Sequence, residues 1–358
     1  MQINPYLFIY IEENKIVCWN YITHEQFILE PAYIERLINW SKSKPEKLTE
    51  IDLELLEAGL LQENGDDQRN KWGWDILSYI FHKGTQDIPL NDKPSLNEEE
   101  WVDNYLEFSD SIIDEMPDLF TERHGADVKL PEPDISLFCN TSFLDVLQKR
   151  KTSRSFYFSN IPLKTFSTLL FASFGQFHGE WSELTNNNLE ITGLRKTSAS
   201  GGGLHCEEAY VLAFSIEDLE QGIYHYNVKN HKLTQIKVGN YSQQLLDILY
   251  QQYFCQNLSF GIFITARFDK SWWKYRHSRA YRNVLMDIGH VSQTFQLCAT
   301  ALNYQTWISG AFSDSAINTL LDLDTAKENT LFFVGAGKSD WSSLDSNLVS
   351  RLELKNVR

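Results

Sequence analysis

The sequence has no disulfide framework to read. Its five cysteines, Cys18, Cys139, Cys206, Cys255 and Cys298, are scattered and odd in number, with no CxxC pair and no Cys/His ligand spacing. That pattern argues for a reducing compartment and against a structural metal site. Positive charge is also short, with 32 Lys and Arg against 48 Asp and Glu and a net charge of −16. Nucleic-acid binding needs concentrated cations to neutralise phosphate, so that function class is excluded. No apolar run reaches membrane-spanning length, and the N-terminus MQINPYLFIYIEENK has neither a basic n-region nor a small-residue cleavage site. The expectation is a cytoplasmic protein without a membrane partner. Nucleotide fingerprints are missing too. No GxGxxG opens a βαβ unit, and the tail GAGKS places Phe332 where a Walker loop needs glycine.

What is present is an ordinary globular composition, 42% apolar over 358 residues, enough for two or three domains. Residues 1–85 read as a small winged-helix-like module: strands in YLFIYI, IVCWNYI and QFIL, a helix from Pro31, and a second helix capped by Thr49. Such a module either holds a peptide along a strand edge or braces a neighbouring domain. Residues 86–140 form an acidic helix, Glu98 to Glu115, between proline-rich extended linkers. Its charge reads as a solvated face or as a surface for a basic peptide. Residues 141–358 carry the candidate chemistry.

Three stretches in that last part stand out. Arg150, Lys151 and Arg154, with Thr152 and Ser153, supply cations and hydroxyls suited to a phosphate. Ser198 and Ser200 lead into Gly201, Gly202 and Gly203, where backbone can approach a planar or anionic ligand closely. From Trp272 to Asn303 the spacing of Tyr281, Leu285, Ile288, Ser292, Phe295, Ala299 and Leu302 predicts one long helix. Its first turns hold Lys274, Tyr275, Arg276, His277 and Arg279, a titratable cluster suited to a general acid or base.

Taken in order, RKTSRSF, RKTSASGGGLHCEEAY, GIYHY, KYRHSRAYR, DIGHVSQTFQLCA and ISGAF resemble the SagB/McbC-type branch of the nitroreductase superfamily, over about residues 141 to 340. These are flavin dehydrogenases acting on azoline-containing ribosomal peptides. The resemblance implies an α+β, nitroreductase-like homodimer fold with FMN bound between subunits. It places Arg150, Lys151, Thr152 and Arg154 at the FMN phosphate and ribityl chain, and Ser198, Ser200, Gly201 and Gly202 beside the isoalloxazine. Gly310 falls where backbone nears the flavin ring. Lys274 and Tyr275 match the Lys-Tyr pair assigned to proton transfer. Ala199 and Cys206 stand where the family often has proline, and Lys151 and Thr152 replace Arg and Ser.

The implied reaction is oxidation of a thiazoline or oxazoline in a peptide to the aromatic ring, with a cyclodehydratase or another maturation enzyme as partner and oxygen as electron acceptor. Lys274 or Tyr275 would be the base, and the surrounding cations would lower the Tyr275 pKa. The competing readings are an NAD(P)H-dependent nitro- or quinone reductase and a catalytically idle peptide-binding scaffold.

Overall fold

The computed structural model describes residues 1–63, 65, 67–89, 97–178, 195–341 and 345–356, so part of the 86–140 linker, at 90–96, lies outside the described residues. Its contacts divide the chain into two units, Met1–Pro94 with His277–Arg279, and Ser95–Arg276 with Ala280–Arg358.

In the first unit β1 (Gln2–Ile3) pairs with β5 (Leu61–Gln62), and β2 (Leu7–Glu12), β3 (Lys15–Asn20) and β4 (Gln26–Ile28) form an antiparallel sheet in the order β2-β3-β4. Helix α1 (Pro31–Lys42) starts on a proline whose fixed φ and missing N–H suit that position. Helix α2 (Glu50–Glu57) starts on a capping box between Thr49 and Asp52. The Asp52 carboxylate is fully buried and accepts from Arg36 Nε at 2.7 Å, Trp40 Nε1 at 2.6 Å and the Thr49 amide at 2.7 Å. Those donors, Arg36 first, overcome burial and hold its pKa well below the usual carboxylate range. Leu37, Trp40, Leu55, Leu60 and Leu61 close the small core around Cys18, and α3 (Ile76–Gly84) follows.

The second unit is built on a seven-stranded sheet of antiparallel neighbours, ordered β11-β12-β10-β7-β8-β9-β6. The strands are β6 (Ala126–Lys129), β7 (Glu207–Ala213), β8 (Gly222–Asn227), β9 (Lys232–Val238), β10 (Phe260–Arg267), β11 (Gln305–Ser309) and β12 (Glu328–Gly337). Among the described residues its helices are α4 (Glu98–Ile112), α5 (Phe143–Lys149), α6 (Leu163–Phe174), α7 (Ser242–Ile248), α8 (Phe268–Lys274), α9 (Ala280–Ala301), α10 (Asp314–Leu321) and α11 (Ser346–Asn356).

Side chains alternate across the sheet, and the central strands β7 and β8 are buried throughout because both faces are covered. Ala209, Val211, Ile262 and Ile264 join a core with Phe166 of α6 and Val291 and Phe295 of α9. Tyr210, Leu212 and Phe263 join the opposite core with Leu245 of α7 and Ile317 of α10. All five cysteines are free, and Cys139 alone among them is exposed.

Three expectations are corrected here. The predicted helix from Trp272 to Asn303 is two helices, with Tyr275 at φ −119° and ψ 85° ending α8. Arg276, His277, Ser278 and Arg279 offer no apolar side chain to bury, and the buried face resumes only at Ala280, Val284 and Ile288. Tyr281 and Leu285, read as part of the buried stripe, are each 42% exposed. Residues 126–129, read as linker, form edge strand β6, where Lys129 pairs with Lys232 and Ala126 with Gln235.

Candidate active site

A cavity of about 780 Å³ in the second unit brings together Ser198, Ser200, Gly202, Lys274 and Tyr275, with Lys196 and His205 behind them and Trp101 and Tyr105 of α4 at the side. Two pieces of the sequence about 75 residues apart meet here for a local reason. The glycine loop is fastened along α9: Ser200 Oγ donates to Asp287 at 2.6 Å, the Gly201 amide donates to the same carboxylate at 3.2 Å, and Ser198 Oγ donates to Thr294 Oγ1 at 2.7 Å. Asp287 and Thr294 lie seven residues apart, two helical turns on one face. The Gly201 N–H is therefore engaged by the protein, and Ser200 and Gly201 hold the loop in place.

Gly202 has φ +65°, and a Cβ there would run into the Tyr275 hydroxyl. Only glycine combines that backbone with so close an approach. His205, at φ 46°, is also left-handed, and its amide donates to Ser200 Oγ at 2.9 Å. Below the loop Lys196 Nζ pairs with buried Glu207 at 3.0 Å, Lys270 Nζ lies 3.7 Å from Glu208, and His225 Nε2 is hydrogen-bonded to Glu208 at 3.0 Å. Burial works to raise the Glu208 pKa, but the His225 hydrogen bond, the Lys270 charge and the Thr121 hydroxyl overcome it and hold the group at about 2. Glu207 is held below its ordinary range against the same burial, chiefly by Lys196 and then His205.

Lys274 is 8% exposed and pairs with no carboxylate among the described residues. Its Nζ donates to Tyr105 Oη at 3.4 Å and lies 5.3 Å from the Tyr105 ring and 5.8 Å from the Tyr275 ring. Trp101 and Tyr105 stack at 5.6 Å with a 6° interplanar angle. The C-terminal end of α4 is pinned by Trp273, whose indole donates to the Ile112 carbonyl at 2.8 Å. The expected depression of the Tyr275 pKa is overturned. Burial raises it, and the nearby Tyr105 and Asp287 add to the rise.

The remaining site residues lie elsewhere in the same unit. Arg150 caps α5, with Nη1 3.5 Å from Gln296 on α9, and Lys151 is exposed. Thr152 bridges to Thr306 on β11, and the Arg154 guanidinium stands 5.9 Å over the Phe254 ring. Gly310 follows β11 directly. These five do not line the cavity with Lys274; α9 touches both groups, through Thr294 and Gln296.

The donor set fits a flavin mononucleotide. Arg150, Lys151, Arg154 and the Thr152 hydroxyl fall within one short segment and have the chemistry a phosphate requires, while the Ser153 hydroxyl is buried and bonded to Ser339 Oγ at 2.6 Å. Sequence reasoning missed Trp101, Tyr105, Lys196 and Asp287. The i, i+4 aromatic pair was the available signal for the first two, and the acidic run around it concealed it.

A sequence profile of the nitroreductase family matches residues 147–338. The chain belongs to the nitroreductase family, an oxidoreductase family whose members bind flavin. It is 32% identical over 151 residues to the trifolitoxin-processing protein TfxB of Rhizobium leguminosarum bv. trifolii, covering 40% of each chain. It thus spans about two fifths of that relative's length. The trifolitoxin operon protein TfxC of the same organism is 23% identical over 79% of each chain. Among solved structures, the Escherichia coli microcin synthetase McbBCD complex with truncated pro-MccB17 bound aligns with a TM-score of 0.44 and 18% identity, over 82% of this chain and 99% of that one. No helix among the described residues is long and apolar enough to cross a membrane.

Proposed function

We propose that the chain is an FMN-dependent dehydrogenase that matures a ribosomal peptide by oxidising a thiazoline or oxazoline to the thiazole or oxazole. The observation that carries this reading is the meeting of the glycine loop, the buried Lys274 and the Trp101–Tyr105 pair around one cavity. A flat five-membered ring fits against stacked aromatics, and a peptide can enter from the exposed side of α4. The naming of TfxB as a trifolitoxin-processing protein supports the peptide as substrate.

Arg150, Lys151, Thr152 and Arg154 would hold the phosphate and ribityl chain, with Ser198, Ser200, Gly201, Gly202 and Gly310 beside the ring. Oxidised FMN supplies a hydride acceptor there. The protein handles the proton. Aromatisation removes a proton from Cα and a hydride from the neighbouring ring carbon. Burial keeps Tyr275 a phenol, which suits it to donate a hydrogen bond to the azoline ring. Lys274 Nζ would take the Cα proton, with Tyr105 fixing its direction. Trp101 and Tyr105 exclude water from one side, and the anchors at Asp287 and Thr294 keep the loop at its distance from Tyr275.

The functional unit is a homodimer in this reading, supported by the exposed apolar side chains of Tyr281, Leu285 and Met286 on α9 and Phe143, Leu144 and Leu147 on α5. A cyclodehydratase or another maturation enzyme would deliver the azoline. The test is the visible spectrum and the mass of the released chromophore, followed by incubation with an azoline-containing peptide. Bound FMN and loss of two hydrogens from the peptide are expected. Consumption of NAD(P)H with a quinone and no change in the peptide would replace this reading with a reductase.

A further inference from the structure

We infer that α4 selects the substrate by a residue within two places of the reacting ring, an arginine whose guanidinium lies over Trp101. The inference deepens the peptide-oxidising reading above and rests on it for the peptide as ligand. Proton removal makes no use of the charge around Trp101. Tyr105 is the inner ring of the aromatic pair, with Lys274 Nζ 3.4 Å from its hydroxyl and 5.3 Å from its ring, so the azoline belongs on that side. Trp101 stands one helical turn further along, parallel to Tyr105 with the centroids 5.6 Å apart. It lines the same cavity and is 58% exposed, so part of the indole remains open to a ligand. The step from Tyr105 to Trp101 is close to the spacing of about 6.6 Å between side chains two places apart on one side of an extended peptide.

Charge selects what lies there. Residues 98–115 hold eight Asp and Glu and no Lys or Arg. Glu115 is paired with Arg276, at the far end of the stretch. Glu98 lies three residues before Trp101, on the same helical face, and is exposed. The cations that line the cavity, Arg195, Lys196 and Lys274, come from the glycine-loop segment and α8, and Lys196 is neutralised by Glu207. The α4 wall is therefore the one that attracts a cation. Indole is the aromatic ring that holds a cation best. A planar guanidinium both stacks on it and offers a carboxylate two parallel N–H bonds, which Glu98 would accept. A compact ammonium makes only part of this contact, and a carboxylate would be repelled by the acids of α4.

The probes are fluorescein-labelled thiazole peptides that carry arginine, its neutral isostere citrulline, or phenylalanine at one of the four positions within two residues of the ring. A thiazole is the product ring, so anisotropy reads binding without turnover. At one position or more the arginine peptide binds the full chain about fivefold tighter than both copies, and added salt shrinks that advantage. Trp101→Leu removes it, Trp101→Phe keeps part of it because a phenyl face still attracts a cation, and Glu98→Gln lowers it to about twofold. With azoline peptides the same arginine lowers KM and leaves kcat within about twofold, as contact remote from the reacting atoms does. A wild type that prefers the arginine thiazole but oxidises no azoline leaves this selection standing while the catalytic reading falls. Oxidation of azoline peptides with equal KM for arginine and citrulline does the reverse. Equal affinity for arginine and citrulline at all four positions, a stronger preference for phenylalanine, an arginine advantage that survives Trp101→Leu, or no binding of any thiazole peptide overturns the inference.

Discussion

The seven-stranded sheet carries Glu207, Glu208 and Glu328 in its interior, each with a buried partner, and its edge strand β11 is bridged by Thr152 and by the Ser153 amide bonded to Thr306. The three-stranded sheet buries no acidic side chain, and among the described residues the outer edge of β2 makes no backbone hydrogen bond. The first arrangement gives each buried carboxylate a hydrogen-bond or charge partner that holds its side chain in place. The second keeps an apolar surface that water only partly satisfies. The two sheets should respond differently to the same kind of insult.

The largest effect should come from Lys274→Met, which keeps the apolar stem and removes the proton acceptor. Turnover of an azoline peptide is expected to fall by about 10²–10⁴-fold, the usual worth of a general base, with the flavin spectrum retained. Loss of flavin with the activity would show a structural role instead. Next comes Lys196→Met, which leaves Glu207 buried without its cation. Breaking a buried pair from one side costs about 3–5 kcal/mol, so calorimetry should show the second unit melting earlier while Ile9→Asp hardly moves it. If both variants destabilise alike, the contrast between the units is wrong.

A smaller loss is expected from Gly202→Ala. It places a methyl against the Tyr275 hydroxyl in a left-handed backbone, at about 1–3 kcal/mol of local strain. Weaker flavin retention measured by spectrophotometric titration would sharpen the assignment of the loop. The smallest effect is the pH dependence of Glu208. Its folded pKa of about 2 lies below the ordinary 4.5, so its contribution to stability is complete above 4.5 and is lost as pH falls through 2. Thermal unfolding of the wild type should decline over that window. Glu208→Gln should flatten that part of the curve and be less stable at neutral pH.

The sequence carried much of this arrangement. The β-branched and aromatic runs marked β2 and β3, and the Thr49 cap marked α2, because each signal is local. The site was half legible. The glycine loop and the Lys-Tyr pair could be named, but their meeting depends on Asp287 and Thr294 receiving Ser200 and Ser198, contacts spanning about 90 residues that no spacing announces. The break after Lys274 was hidden because residues 276–279 contain neither proline nor glycine to announce it. Trp101 and Tyr105 were hidden by their acidic neighbours. The direction of the Tyr275 shift was misread because sequence lists nearby charges without saying which way they face.

The arrangement of the thiols has a practical consequence. Burial pushes Cys206 up to about 12 and Cys18, Cys255 and Cys298 up to about 11, so at neutral pH almost none of these exists as the nucleophilic thiolate. Cys139, just beyond the short turn Ile135–Phe138, stands in the open. A maleimide dye or a surface tether will therefore attach at one position of the unaltered chain, giving a uniform labelled population for single-molecule or immobilised-enzyme work.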